Sequence, residues 1–247
     1  MTTVLGILSI LPDLVFGPAR GLWRWWRVTR PARKVLGPAA EQDQLVRVFV
    51  RDFFVDPSRP LLVRDGPAGP PAGVRNVHRL WSDVEGRGVA YVLNALGEVG
   101  KTEQIEIVQM SDDPGLWDSH FVLLGAQAQK CFDFYDRMES VAFRMDGNEI
   151  YDLQGGGEPI PREGPFGYGI ILKAKNPFLR RGRGGVALLV GGFGTLGTAA
   201  AARYFRDHLA DLGRHFGSRC FGVLVRAPAS AGEQAVQRVE RYDRRFK

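Results

Sequence analysis

The chain has 247 residues, of which 45% are hydrophobic and 24% charged, as in a globular protein large enough to bury a substantial core. Its two cysteines, Cys131 and Cys220, are too few for a disulfide framework and too far apart for a local metal site. The net charge of +6 is concentrated in residues 1–34, which hold six basic side chains and one acidic one, against 27 basic and 26 acidic in the rest of the chain. Nucleic-acid binding is not expected, because it calls for positive charge spread over a folded face.

An apolar run of thirteen residues, VLGILSILPDLVF, occupies positions 4–16. It is shorter than the ~20 residues that a membrane-spanning helix needs, and Pro12 and Asp13 interrupt it. Basic residues follow the run instead of preceding it, which is the reverse of a secretory signal.

Tryptophans alternate with arginines after this run, in the sequence GLWRWWRVTRPARK. Indole rings favour the headgroup boundary of a membrane, and arginines beside them pair with lipid phosphates. The pattern predicts a segment that lies in the membrane surface. If the segment inserts more deeply, its positive C-terminal flank would keep the body on the cytoplasmic side. The predicted membrane-binding residues are Trp23, Arg24, Trp25, Trp26, Arg27 and Arg30. Two alternatives stay open: packing on the domain or a second copy of the chain, and removal as a targeting sequence.

Proline and glycine mark the end of this segment at Pro31, Gly37 and Pro38. We therefore place a boundary near residue 40, with a membrane- or partner-associating segment at 1–40 and the body at 41–247. Because the body has balanced charge and contains the remaining apolar segments, it is expected to fold without the tail.

The body alternates short apolar segments with amphipathic ones. Strands are predicted at 46–50 with continuations at 53–55 and 61–63, and at 105–108, 121–124, 141–144, 170–173, 186–190 and 221–225. Helices are predicted at 88–98, 126–138 and 195–212, with a charged helix at 231–241. Two Gly/Pro-rich stretches, 65–73 and 155–169, are predicted loops, and the second either covers a site or only connects strands.

Short, continuously apolar strands between helices indicate a mostly parallel sheet covered by helices on both faces. The predicted fold class is α/β and Rossmann-like, preceded by a hydrophobic and amphipathic helical segment. Ligands of such sheets bind beyond the C-terminal ends of the strands. Three strand ends have suitable loops, at 125–127, 176–178 and 191–198.

The segment VALLVGGFGTLGTAAAARYF joins an apolar strand to a helix through a G-x-G-x-x-G turn at Gly192, Gly194 and Gly197. In that pattern the first glycine permits a tight turn, the second lets backbone N–H groups approach a phosphate, and the third lets the helix start close to the strand. Thr195 and Thr198 add hydroxyl groups. The turn predicts a site for a nucleotide or a nucleotide-derived ligand, with tight helix packing as the alternative.

An NAD site is disfavoured, because the next strand ends in Arg226 where an acidic residue would bind the ribose. Four further residues are predicted at the phosphate site. Gly125 and Gln127 follow the strand at 121–124, and Lys175 and Asn176 lie in a basic run before the glycine turn. Cations at strand ends can hold phosphates, although a solvated loop is the alternative.

The sequence contains no complete catalytic constellation. Asp118, Ser119 and His120 are consecutive, and neighbouring residues of a strand point to opposite faces, so they cannot form a relay. Cys131 is expected in the core. No metal is predicted, because the four histidines lack the spacing of a metal site.

A short hydrophobic N-terminal segment before a compact Rossmann-like domain resembles membrane-associated sensor and effector proteins of bacterial defence systems. The resemblance rests on residues 4–34 and on Val186–Phe205. It implies a domain that recognises a nucleotide-derived signal and a segment that acts on the membrane. Two other classes stay open: a nucleotide-processing enzyme using the loops at 125–129 and 191–198, and a structural or adaptor protein assembling through its N-terminal segment.

Overall fold

The computed structural model describes residues 21–50, 83–110, 117–126, 129–138, 141–176 and 185–242. The helices are α1 Arg30–Leu36, α2 Asp83–Glu98, α3 Gln129–Arg137 and α4 Gly194–Phe216, with a π-helical stretch at Trp25–Thr29 and 3-10 turns at Gly37–Ala40 and Gly232–Ala235. The strands are β1 Val46–Val50, β2 Ile105–Gln109, β3 His120–Leu124, β4 Phe143–Asp146, β5 Glu149–Asp152, β6 Pro159–Ile160, β7 Phe166–Lys175, β8 Val186–Gly192, β9 Phe221–Pro228 and β10 Gln237–Tyr242.

Seven strands form one sheet in the order β10-β9-β7-β8-β3-β1-β2, and β4, β5 and β6 form a small antiparallel sheet. The pairs β2–β1, β1–β3 and β3–β8 are parallel, whereas β7 runs antiparallel to both β8 and β9. Five of the seven strands therefore run in the same direction, and the mixed α/β fold with a mostly parallel sheet is confirmed. We call the side where these five strands finish the C-terminal edge of the sheet.

Alternate residues of each strand point to opposite faces, and both faces are covered. Val48, Val122 and Leu188 pack in one core cluster with α1, α2 and α4. Their neighbours Phe49, Leu123 and Leu189 pack in a second cluster with α3 and the small sheet. The continuous burial of β3 and β8 matches their composition, which is apolar apart from His120 at the start of β3.

The N-terminal helix belongs to the main core. Ala32, Val35 and Leu36 are buried, as are Ala39 and Ala40 in the following 3-10 turn. From Arg30 onward the chain therefore packs as part of the domain, and the expected boundary near residue 40 cuts through this packing.

The C-terminal stretch differs from its prediction. Residues 231–241 were expected to form a charged helix, and instead they form a 3-10 turn and the strand β10. The prediction is wrong because the many charged residues made a short strand look like a helix. In this strand Val239 packs on the core, and the backbone of β10 pairs with the edge of β9. The predicted loop at 155–169 likewise contains β6 and the start of β7. The continuations at 53–55 and 61–63 and the loop at 65–73 lie outside the described residues.

Candidate ligand site and cationic surface

The strand order reverses between β1 and β3, which lie side by side. The next described helix after β1 is α2, on one face of the sheet, and the next after β3 is α3, on the other. In open α/β sheets such a reversal opens a crevice at the C-terminal edge, where ligands bind. The end of β8 and the glycine turn are at this same edge, next to β3.

Two of the three motif glycines serve close packing. Gly192 pairs with Gly169 in the β7–β8 ladder, and α4 crosses this pair at Gly197. A Cβ atom at Gly192 or Gly197 would overlap the carbonyl oxygen of Tyr168, and one at Gly169 would overlap the carbonyl oxygen of Gly197. These contacts fit the close approach of helix and strand that the motif assigns to Gly197. Gly169 was missed because it lies in a stretch that looks like a loop.

Gly194 is different, because it has a φ of +60° and no other group within 4 Å of the position that a Cβ atom would occupy. It is the first residue of α4, whose N-cap, Phe193, makes no side-chain capping bond, and whose first turn contains no acidic residue. The Thr195 side chain is partly exposed at this point. The positive end of a 23-residue helix is thus open at the edge of the sheet.

Thr198 has a structural role in this turn. Its buried hydroxyl oxygen accepts a hydrogen bond from the Gly192 N–H at 3.2 Å and donates one to the Gly194 carbonyl at 3.1 Å. These bonds fix the geometry between β8 and α4, so Thr198 positions the turn and is not open to a ligand.

The loop before β7 brings charged side chains to the glycine turn. The Arg162 guanidinium lies 4.6 Å from the centre of the Phe193 ring, and Arg162 is exposed. Glu163 next to it forms an ion pair with Arg226 at 2.8 Å. This part of the 155–169 stretch therefore lies beside the turn, and Arg162 is a cation that sequence reasoning missed, since only the fold brings it there.

Gly125 follows β3 at the same edge, where its backbone contacts Gly191 so closely that a Cβ atom on Gly191 would overlap it. The carbonyl oxygens here are already used: Gly125 accepts a bond from Cys131 and Ala126 accepts one from the buried Tyr135 hydroxyl at 3.0 Å. Burial raises the pKa of Tyr135 well above its ordinary value, so this hydroxyl stays a donor. Gln127 lies outside the described residues.

Lys175 and Asn176 do not join this site. They end β7, which runs antiparallel to β8, and Lys175 pairs with Val186 at the opposite edge of the sheet. The Asn176 amide is buried and donates to the carbonyl oxygens of Trp117 and Ser119 at 2.8 and 2.6 Å. The expectation that both residues contribute to the phosphate site is wrong in position, because a hairpin reverses the chain between them and the glycine turn.

The remaining polar candidates are part of the framework. His120 is buried and accepts a hydrogen bond at Nδ1 from the Val186 N–H at 3.0 Å, and burial lowers the pKa of its imidazole. Asp118 pairs with Arg47 at 2.9 Å, so no Ser–His–Asp relay forms. Within the described ranges, no group of three or more His, Cys, Asp or Glu side chains is arranged to hold a metal ion.

A second unusual surface lies at the N-terminus. Leu22, Trp23, Trp25 and Trp26 are between 43% and 60% exposed, which is rare for such large apolar side chains side by side. Arginines alternate with them: the Arg27 guanidinium lies 5.1 Å from the Trp23 ring centre and that of Arg30 lies 4.0 Å from the Trp26 ring centre. Arg24 is also exposed. None of the helices in the described ranges combines the length and apolar character needed to cross a membrane.

No family model matches the chain, and no match is found among curated proteins.

Proposed function

We propose that this chain is a Rossmann-like protein that binds a nucleotide or related phosphate-bearing ligand at the Gly194 turn, and that its Trp/Arg segment attaches it to the cytoplasmic face of a membrane. The observation that carries the ligand proposal is the open N-terminus of α4 at Gly194, beside the reversal of strand order between β1 and β3. The unit β1–β3–β8 with its glycine turn is the part of the fold that supports a Rossmann-like architecture.

A phosphate suits this position for three physical reasons. The first backbone N–H groups of a helix have no partner within the helix, and the aligned peptide dipoles favour an anion there. Gly194 leaves room for the anion to approach the backbone. Arg162 supplies a guanidinium from the neighbouring loop, and bonds between a guanidinium and a phosphate are short and charge-assisted.

Two acidic residues in the described part of the chain favour a sensor over an enzyme. Glu163 is paired with Arg226, and the buried Glu233 in the turn after β9 is paired with Arg87 at 3.1 Å. A carboxylate oxygen that is bonded to a guanidinium is less available to accept a proton from a substrate.

The experiment compares two valines at opposite ends of α4. Gly217, the C-cap, has a φ of +63° and open space like Gly194, so Gly217→Val is a matched control for the backbone strain of Gly194→Val. Each change costs about 1–2 kcal/mol or more of stability, because a side chain is unfavourable in the left-handed region. We expect Gly194→Val to weaken binding of ATP or a cyclic dinucleotide at least about tenfold, and Gly217→Val to leave it unchanged.

Thermal shift with ATP, NAD and a cyclic dinucleotide identifies the probe, since a ligand at 100 times its Kd stabilises by about 2.7 kcal/mol. Turnover of the bound probe would move the conclusion to a nucleotide-processing enzyme. If no probe binds, or if both valine variants bind as the wild type does, the turn is only a tightly packed crossover and an adaptor role becomes the better proposal.

A further inference from the structure

A groove with a volume of about 500 Å³ lies between the start of α1 and the end of α4. Its lining residues are Trp26, Arg27, Arg30, Pro31, Lys34 and Arg214. Four of these six are cations, and none is acidic. A volume of this size accommodates a small polar ligand.

Contacts within the fold hold two of the four cations, Arg30 and Arg214, in place. Arg214 donates to the Arg27 carbonyl oxygen at 2.6 Å and pairs with Asp211 on its own helix. The two helices approach closely at Gly213, where a Cβ atom would overlap the Pro31 carbonyl oxygen. Arg30 is stacked on Trp26. The guanidinium groups of Arg30 and Arg214 are therefore already positioned before a ligand arrives.

The local charge is unbalanced. The C-terminal end of α4 contributes the equivalent of about half a negative charge, and Asp211 contributes one. Four positive side chains exceed both together. An anion with several oxygens would reduce the repulsion among these cations and accept hydrogen bonds from the guanidinium groups.

We infer that this groove binds the phosphate of an anionic phospholipid headgroup. Leu22, Trp23 and Trp25 lie just before the groove in sequence and are exposed, so apolar and indole side chains adjoin the cations in the arrangement that suits the headgroup boundary. A soluble phosphate ligand would make no use of these apolar side chains. The inference rests on the proposed membrane attachment and names the site that recognises the lipid.

The test measures sedimentation of the full chain with phosphatidylcholine vesicles, with and without phosphatidylglycerol. The groove variant is Lys34→Gln with Arg214→Gln. The control is Lys175→Gln with Arg238→Gln, which makes the same change in charge at two exposed residues outside the groove. Since a cation near an anionic surface strengthens binding about fivefold, we expect the groove variant to lower the partition coefficient on phosphatidylglycerol vesicles at least about tenfold more than the control does.

The single variant Lys34→Gln tests whether weaker binding comes from lost charge or from a damaged fold. It replaces an exposed side chain, and the Lys34 backbone carbonyl still accepts its bond from Lys173. This single variant is expected to lose about fivefold. Equal weakening by the groove and control variants, with wild type bound, overturns the groove inference alone. If the wild type binds neither kind of vesicle, the proposed membrane attachment falls as well.

Discussion

Two buried lysines tie the N-terminal helix and its following loop to the rest of the domain. The Lys101 ammonium donates to the carbonyl oxygens of Glu41, Gln42 and Gln44 at 2.7, 3.0 and 2.6 Å. The Lys173 ammonium donates to the carbonyl oxygens of Lys34 at 3.2 Å and Ser218 at 3.0 Å. Both act as cationic caps for backbone groups, a role that no local sequence pattern indicates.

Lys173 gives a pH-dependent prediction. Burial lowers the pKa of its ammonium to about 8, from an ordinary value of 10.5. The folded protein then releases this proton before the unfolded chain does, so the contribution of Lys173 to the free energy of unfolding rises between pH 8 and 10.5, by about 3 kcal/mol at most. We expect the difference in unfolding free energy between wild type and Lys173→Met to grow over this range in urea titrations. If the difference between wild type and Lys173→Met does not change with pH, the pKa of Lys173 is not lowered in the folded protein.

At the scale of single residues, a position could be predicted from the sequence where the residue's chemistry is local. The placement of Gly197 against the strand follows from the motif itself. It failed where the partner comes from a distant segment: Gly169 and Arg162 reach the turn only because β7 inserts between β8 and β9. Lys175 and Asn176 were misplaced for the same reason, since strand direction is not encoded in a short apolar run.

At the scale of elements, α1 shows a helix that looks like part of a tail and behaves as part of the core. Its basic residues alternate with small and apolar ones, because the small and apolar residues pack against the buried side of α4. The strands β3 and β8 and the helix α4 could be predicted, because long apolar or alanine-rich segments pack in the core of an α/β fold. The strand β10 could not be predicted, because it forms by pairing with β9, and the sequence does not show which strand has an open edge.

The packing of α1 predicts the effect of truncation. A chain beginning at Arg30 should keep the thermal stability of the full protein, because the segment that it lacks contains no described residue that is buried. A chain beginning at residue 41 lacks Val35 and Leu36, and each such buried side chain contributes roughly 1.5–3 kcal/mol. With three alanines lost as well, the deficit approaches the stability of a typical domain, about 5–15 kcal/mol.

We therefore expect the shorter chain to aggregate or melt at a much lower temperature, as measured by size exclusion and calorimetry. This replaces the expectation that the body from residue 41 folds alone. Equal melting temperatures for the two truncated chains would show that α1 is dispensable.

For the whole molecule, the two candidate surfaces have different origins. The glycine turn is at the C-terminal edge of the sheet, where the fold class itself favours ligands. The Trp/Arg surface is an exposed extension of α1, and its position relative to the core could not be read from composition. Charge asymmetry did locate it, because residues 1–34 hold most of the net charge.

We expect membrane attachment of the full chain to depend on its exposed arginines. Arg24, Arg27 and Arg30 are exposed, and each is expected to contribute about 1 kcal/mol at an anionic surface. Replacing all three by glutamine should therefore weaken co-sedimentation with phosphatidylglycerol vesicles by about 100-fold at low salt. The difference should shrink at 1 M salt, where the Debye length falls to about 3 Å. Replacing Trp23 and Trp25 by serine should instead lower the part of the binding that persists at high salt, because salt does not screen the insertion of indole rings. Equal sedimentation of the wild type and the arginine variant, or no sedimentation of either, would count against attachment through this surface.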